Sequence, residues 1–272
     1  MDATSRMLAV AVSDIANPFY ANLVRGTQVA AAEAGYEIVL VDARESAARE
    51  RVALNRLLPA VEGVVISGSR MSDAALRTIA KQKPTVVLNR ELRDIPSVIP
   101  DIADGARQAV ELLRGLGHDQ IVYLAGPEAS WQDGMRSRAV RDFAARAGMN
   151  THRIGPFLPT VEGGLQAARQ LLTRLPSAVM AFNDLMAIGV IRGLLDAGAR
   201  VPADTSVIGC DDILISQLVT PSLTTIAIPT RQMGITGVNN LVAMINGAKP
   251  GGGQALLMPV KLKTRRSTGP RG

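Results

Sequence analysis

Leu8-Ala9-Val10-Ala11-Val12, then Asn17-Pro18-Phe19-Tyr20, then Ala34-Gly35 and Ile38-Val39-Leu40-Val41: this opening stretch decides the fold. The two apolar runs are continuous rather than alternating, as in strands covered on both faces. Between them, Tyr20, Leu23, Val24, Thr27, Ala31 and Ala34 recur at helical spacing and form one stripe. Asn17 is a good N-cap, Pro18 suits the first helical position and Gly35 supplies a stop. Strand, helix and strand in that order make a crossover between parallel strands.

The same grammar continues outward. Further apolar runs stand at Val64-Val65-Ile66, Val86-Val87-Leu88, Ile121-Val122-Tyr123-Leu124, Ala178-Val179-Met180-Ala181-Phe182 and Val207-Ile208-Gly209. Most are separated by enough chain for one helix, and Asn183-Asp184 opens a helical pattern from about Leu185 to Ala197 that stops at Gly198. Alternation of this kind predicts an α/β protein with doubly wound parallel sheets. The chain shows no solenoid repeat, and no Ser/Gly linker divides it; Gly251-Gly252-Gly253 reads as a loop. Two lobes are plausible, with no boundary marked by composition.

At 272 residues, 47% hydrophobic and 20% charged, the chain has the profile of an ordinary globular protein with one or two domains. The single cysteine, Cys210, cannot close an internal disulfide. No apolar stretch approaches the roughly eighteen residues of a membrane helix, and the run after Met1-Asp2-Ala3-Thr4-Ser5-Arg6 is too short for a signal-peptide core. The expected compartment is cytoplasmic. A net charge of +6 would suggest nucleic acid, yet Lys261, Lys263, Arg265, Arg266 and Arg271 supply five of the six excess charges. The body is nearly neutral, and the basic tail is expected to be solvated.

Several chemistries find no support. His118 and His152 lack Cys or His neighbours at ligand spacing, so no metal is expected. His118, just past a helical pattern, reads as a polar residue at a helix end. No phosphate loop exists, and the turn Ser13-Asp14-Ile15-Ala16-Asn17-Pro18 has no glycine, so no nucleotide cofactor is expected. There is no G-x-S-x-G elbow, Cys210 lies in an apolar strand, and Asp211-Asp212 would point apart. The chain is not expected to be an enzyme.

Ligands of open α/β sheets sit outside the carboxyl ends of the strands. Those ends here are Ser13 to Tyr20, Asn89-Arg90, a loop from Gly126 to Arg136, Asn183-Asp184 and Asp211-Asp212. They offer amide, guanidinium and carboxylate groups suited to adjacent sugar hydroxyls. Aromatics make up only 3% of the chain, yet Phe19, Tyr20, Trp131 and Phe182 fall at or beside these ends. An aromatic face can bed the C–H face of a sugar or a flat base. Equally, Phe19 and Phe182 could be core, and Asn17 and Asn183 mere caps.

Asp14-Ile15-Ala16-Asn17-Pro18-Phe19-Tyr20, with Arg25-Gly26 and Ala34-Gly35-Tyr36, resembles the opening of the ligand-binding region in lactose-repressor-type (LacI/GalR) regulators. Phe182-Asn183-Asp184-Leu185-Met186-Ala187-Ile188-Gly189, Val201-Pro202-Ala203-Asp204 and Ser206-Val207-Ile208-Gly209-Cys210-Asp211-Asp212 carry the most specific part. Leu116-Gly117-His118, Ala125-Gly126-Pro127, Pro221-Ser222-Leu223-Thr224-Thr225-Ile226 and Arg266-Ser267-Thr268 fit in register.

The resemblance implies a periplasmic-binding-protein type I fold of two doubly wound lobes joined by three crossings. The expected division is 1–100 with about 229–254, and 101–228 with about 255–272. It further implies a small-molecule effector bound between the lobes, a homodimer, and operator DNA reached through a helix-turn-helix domain absent from this chain, which would then be a truncated regulator. Carried over by position, the ligand contacts are Asn17, Phe19, Tyr20 and Arg90 in the first lobe. In the second they are Arg136, Asn183 and Asp211, with Ser130 and Gln132 on a variable loop. Asp184 is expected to cap its own helix.

Departures from the family pattern are Ala139-Val140 in place of Gly and an aromatic, Cys210 in place of an aromatic, Asn89 for Asp and Ile228 for Gln. They leave a sugar, a sugar acid or a related effector open, the acid meeting Arg90 and Arg136. The rival readings are an exported periplasmic sugar-binding protein of a transport system and, more distantly, a sugar-processing α/β enzyme.

Overall fold

The computed structural model describes residues 5–248 and 254–272, so the loop expected at Gly251-Gly252-Gly253 lies outside them. The chain forms two compact units and passes from one to the other three times. One unit comprises Met1–Pro100 with Pro229–Met258, the other Asp101–Ile228 with Pro259–Gly272.

The first unit holds strands β1 (Met7–Val12), β2 (Glu37–Asp42), β3 (Gly63–Ser67), β4 (Thr85–Leu88), β5 (Ser97–Pro100) and β11 (Leu256–Met258). Its helices are α1 (Pro18–Glu33), α2 (Ala47–Leu57), α3 (Asp73–Ala80) and α9 (Thr230–Ile245). The sheet order is β11-β5-β4-β3-β1-β2, all parallel. The second unit holds β6 (Gln120–Leu124), β7 (Asn150–Ile154), β8 (Ala178–Ala181), β9 (Ser206–Asp211), β10 (Thr224–Ala227) and β12 (Lys261–Lys263). Its helices are α4 (Ile102–Gly115), α5 (Trp131–Arg146), α6 (Val161–Leu171), α7 (Asp184–Asp196) and α8 (Ile215–Leu218). The order β12-β10-β9-β8-β6-β7 repeats that of the first sheet, except that β12 runs antiparallel to β10. In each sheet the winding reverses beside the first strand, between β1 and β3 and between β6 and β8, where doubly wound sheets bind ligands.

The opening stretch folds as its residues dictate. The Asn17 side chain accepts from the Phe19 N–H, Pro18 takes the first helical position, and Gly35 has φ +75°. Asn183 caps α7 by accepting from the Met186 N–H at 2.9 Å. All seven apolar runs lie on strands, although β2 is an edge strand with Leu40 exposed rather than one covered on both faces. Strands β5, β7, β10, β11 and β12 carry no long apolar run. The sequence of β7, Asn-Thr-His-Arg-Ile, is largely exposed at an edge and so has no need of one.

Two expectations need correction. The basic tail is not simply solvated. It adds β12, Ser267 accepts from the Thr224 N–H and donates to the Val207 carbonyl, and Arg271 pairs with Asp119 at 2.5 Å. His118 does stand just past the end of α4, where it is buried with Nδ1 3.0 Å from the Ser177 hydroxyl and Nε2 3.1 Å from the Gly269 carbonyl. Asp184 does not cap its own helix; Asn183 does, which frees the buried Asp184 carboxylate to accept from Thr225 and from the Ile213 N–H at 2.9 Å.

Helices α6 and α7 approach closely through glycine. A Cβ on Gly164 would stand 2.1 Å from the Met186 carbonyl, and one on Gly189 2.1 Å from that of Val161. Any side chain here forces the two helices apart, an overpacking change of the kind that typically costs about 1–3 kcal/mol.

Candidate functional site

In the second unit the carboxyl ends of β8 and β9 and the first turns of α5 meet around one guanidinium. Arg136 is buried, donates through Nη1 to the Phe182 carbonyl, and lies 5.0 Å from the Phe182 ring centroid. Its Nη2 stands 3.6 Å from the Asp211 carboxylate, close enough to feel the charge but too long for a hydrogen bond. Its Nε is buried with no partner. Burial pushes the Asp211 carboxyl well above its ordinary value, the Arg136 charge pulls it down, and nearby Asp184 pushes it up again. Asp211 and Asp212 also have φ of 134° and 57°, backbone that non-glycine residues seldom adopt. Such strain, of order 1–3 kcal/mol per residue, concentrates at ligand clamps.

The residues around this pair differ from their expected settings. Ser130 ends the loop as the N-cap of α5, accepting from the Asp133 N–H at 3.2 Å, whereas Gln132 does not lie on a loop but is buried in the first turn of the helix. Arg136 is likewise helical. Asn183 is spent within the protein, its amide donating to the Pro159 carbonyl at 3.0 Å while its oxygen caps α7. Asp211 and Asp212 do point apart, the first toward Arg136 and the second into an ion pair with Arg265. Burial raises the Cys210 thiol pKa, consistent with the inert thiol expected in an apolar strand.

In the first unit, Asn17 is half-buried at its cap, and Phe19 and Tyr20 pack edge to face with centroids 5.0 Å apart. Both rings are buried, so they belong at least in part to the core. Arg90 lies two residues past β4 and folds onto its own unit, pairing with Asp73 and donating to the carbonyls of Met71 at 2.7 Å and Ser69 at 3.3 Å. Sequence reasoning missed Glu50 and Ser67. Glu50 is buried on α2, and burial raises its pKa to about 7 while the Ser69 hydroxyl donates to it at 2.8 Å. Glu50 Oε1, Ser67 Oγ and Arg90 Nε are all buried without partners. Ser67 ends β3, at the reversal of winding, and the reversal could be located only once the strand order was known. Asp133 was missed as well: its place three residues after Ser130 points at most to a local cap, whereas its partners Tyr123, Gly126 and Arg153 are brought together only by the fold.

Among the described residues no group of His, Cys, Asp and Glu is arranged to hold a metal, and no helix is long and apolar enough to cross a membrane.

The fold and the strand-end pair define a periplasmic-binding-protein-like domain, and the family model of that description matches residues 110–268. The HTH-type transcriptional repressor CytR of Escherichia coli K12 is 32% identical over 275 residues, covering 97% of this chain and 80% of that protein. A LacI family transcriptional regulator from Enterococcus faecium with bound ribose superposes with a TM-score of 0.87 at 28% identity, over 98% of this chain and 100% of that one. The lac repressor dimer bound to operator and an anti-inducer gives a TM-score of 0.87 at 29% identity, over 98% and 96%. The chain belongs to the LacI family of transcriptional regulators and spans their periplasmic-binding-protein-like region.

Proposed function

We propose that the chain is the effector-sensing and dimerisation core of a transcriptional repressor, and that its effector is a neutral, sugar-like polyol. The observation that carries this is the Arg136–Asp211 pair, buried at a strand end, separated by 3.6 Å and with Arg136 Nε unpartnered. Such a pair offers a donor fork and an acceptor to adjacent hydroxyls. Ser130, Gln132 and Asn183 are the further contacts this reading takes from the second unit, and Asn17, Phe19, Tyr20 and Arg90 those it takes from the first. Arg90 is taken up by Asp73 and Arg136 faces Asp211, so neither presents an uncompensated charge to a carboxylate. That favours a neutral sugar over a sugar acid. A ribose-bound relative supports the same class.

The chain acts by binding rather than catalysis, in the cytoplasm, on operator DNA through a separate DNA-binding segment. Effector and operator affinities are then reciprocally linked. The repressor relatives favour this over a transport protein of similar fold.

Thermal unfolding across neutral sugars, sugar acids, sugar phosphates and purines tests the reading. A ligand at about a hundred times its Kd adds roughly 2.7 kcal/mol, or on the order of 5–10 °C for a chain of this size. The expected result is a shift from neutral sugars that Asp211→Asn removes; a shift from sugar acids alone, or one unaffected by Asp211→Asn, overturns it.

Dimerisation is assigned to the face around α8. Leu214 and Leu218 are 67% and 72% exposed, with Ile215 beside them at 42%. Clustered exposed side chains of this kind mark protein interfaces. Leu214→Asp with Leu218→Asp is expected to convert a sedimenting dimer to a folded monomer, with unchanged far-ultraviolet circular dichroism and a melting temperature lowered by the lost association. A dimer that survives both changes places the interface elsewhere.

A further inference from the structure

We propose that Asp133 is the positioning residue of the effector site: a buried carboxylate that fixes the turn ahead of α5 and, through that turn, the stack that carries the Arg136 guanidinium. This rests on the reading of Arg136 as an effector contact.

Asp133 is the third residue of α5, with Ser130 as N-cap. An acid at this place ordinarily reaches back to the N–H of the capping residue. Here it does not, and the Ser130 N–H bonds to the Pro127 carbonyl at 2.9 Å instead. The Asp133 carboxylate turns into the protein. Its Oδ1 accepts from the Gly126 N–H at 2.7 Å and from the Tyr123 hydroxyl at 2.9 Å, and its Oδ2 accepts from Arg153 at 2.8 Å. Asp133 and Tyr123 are each only 2% exposed, so water cannot replace either partner.

Two routes lead from this carboxylate to Arg136. The first is α5 itself, since residues three apart share a helix face. The second passes through Gly126, which lies so close to the Phe182 ring that a Cβ on it would come within 2.5 Å of that ring. The same Phe182 lies under the Arg136 guanidinium and accepts from it through its carbonyl. Holding Gly126 therefore fixes Phe182 from one side, and Phe182 fixes the guanidinium. With Asp211 3.6 Å away and Nε unbonded, Arg136 has few direct restraints of its own, so its geometry depends on this support.

The test needs no effector. The Arg136 Nε–H signal, assigned by its absence in Arg136→Lys, is followed by proton–nitrogen NMR alongside the melting temperature. Asp133→Asn keeps the shape of the side chain but turns one acceptor oxygen into a donor. It is expected to move or broaden the Arg136 signal more than that of any other arginine outside the direct partner Arg153. Arg153→Met removes the ion pair but leaves the bonds to Gly126 and Tyr123, and should leave the Arg136 signal in place. Tyr123→Phe removes a single bond and gives a smaller shift of the same signal, which covers the case in which Asp133→Asn does not fold. A fall in melting temperature with an unmoved Arg136 signal in these Asp133 and Tyr123 variants makes Asp133 a staple of the fold and overturns the proposal. So does an Arg153→Met effect as large as that of Asp133→Asn. Failure of every sugar to bind would sink the reading of the site yet leave this result interpretable, because the signal belongs to the free protein.

Discussion

Arg136→Ala is expected to lower folding stability by about 3–5 kcal/mol, the usual consequence of removing one member of a buried charge pair, and to abolish any sugar-induced thermal shift. The side chain is 3% exposed, so its loss leaves the Asp211 carboxylate in a dry site without a cation and the Phe182 carbonyl without its donor. Urea denaturation reads the first effect and thermal shift the second. Burial already raises the pKa of Asp211, so the variant can relieve the unpaired charge by taking up a proton, and its deficit should shrink toward acid pH. Arg136→Lys keeps the charge but not the planar fork, and should recover more stability than effector binding. An alanine variant as stable as its parent at pH 8 would show that the pair is not held as described.

The second large effect is a fall in stability as the pH is raised. Glu50 and Asp184 have ordinary values of 4.5 and 3.8, and burial pushes each to about 7. A group whose folded pKa is raised contributes stability that is fully present below its unfolded pKa and is lost as pH rises through the folded one. The window therefore runs from about 4 to about 7, with a slope of roughly 1.4 kcal/mol per pH unit for each group. His118 works in the opposite sense: burial lowers its pKa below 6.5, so it costs stability as the pH falls below that value. The buried Asp211 carboxyl, also raised, acts in the same direction as Glu50 and Asp184, and three carboxylates against one imidazole leave the net slope downward with rising pH. Glu50→Gln should flatten it, and its urea midpoint should gain on that of the parent between pH 5 and pH 8. Identical pH profiles for the two proteins would mean that Glu50 titrates as an ordinary carboxylate.

Local grammar read well because it depends on neighbours in the chain: the Asn17 cap, Pro18 and Gly35 bound α1, and seven apolar runs mark seven strands. Of the strands without a long apolar run, β7, β11 and β12 lie at sheet edges where side chains face water, whereas β5 and β10 are buried but only four residues long and interrupted by Ser, Thr or Pro. Asn183 and Asp184 show the limit of spacing. Both could cap a helix, and which one does depends on Thr225 and the Ile213 N–H, brought alongside from later in the chain. The same holds for Arg90, positioned by its sequence near a ligand but drawn by Asp73, Met71 and Ser69 onto its own unit.

By itself, then, the sequence determined the α/β class, the doubly wound order of strand and helix, the family, and the strand ends where polar groups gather. Periodicity, caps and motif register are local properties, and folding preserves them. The tertiary structure alone decided that the two sheets share one strand order, that the tail is built into the second unit, and that Glu50, Ser67 and Asp133 belong beside the strand ends. It also decided that Arg136 faces Asp211 across 3.6 Å with one nitrogen unbonded. Those outcomes depend on which buried polar group finds which partner among residues distant in the chain, a choice set by the cost of leaving any of them unpaired rather than by the spacing of residue types.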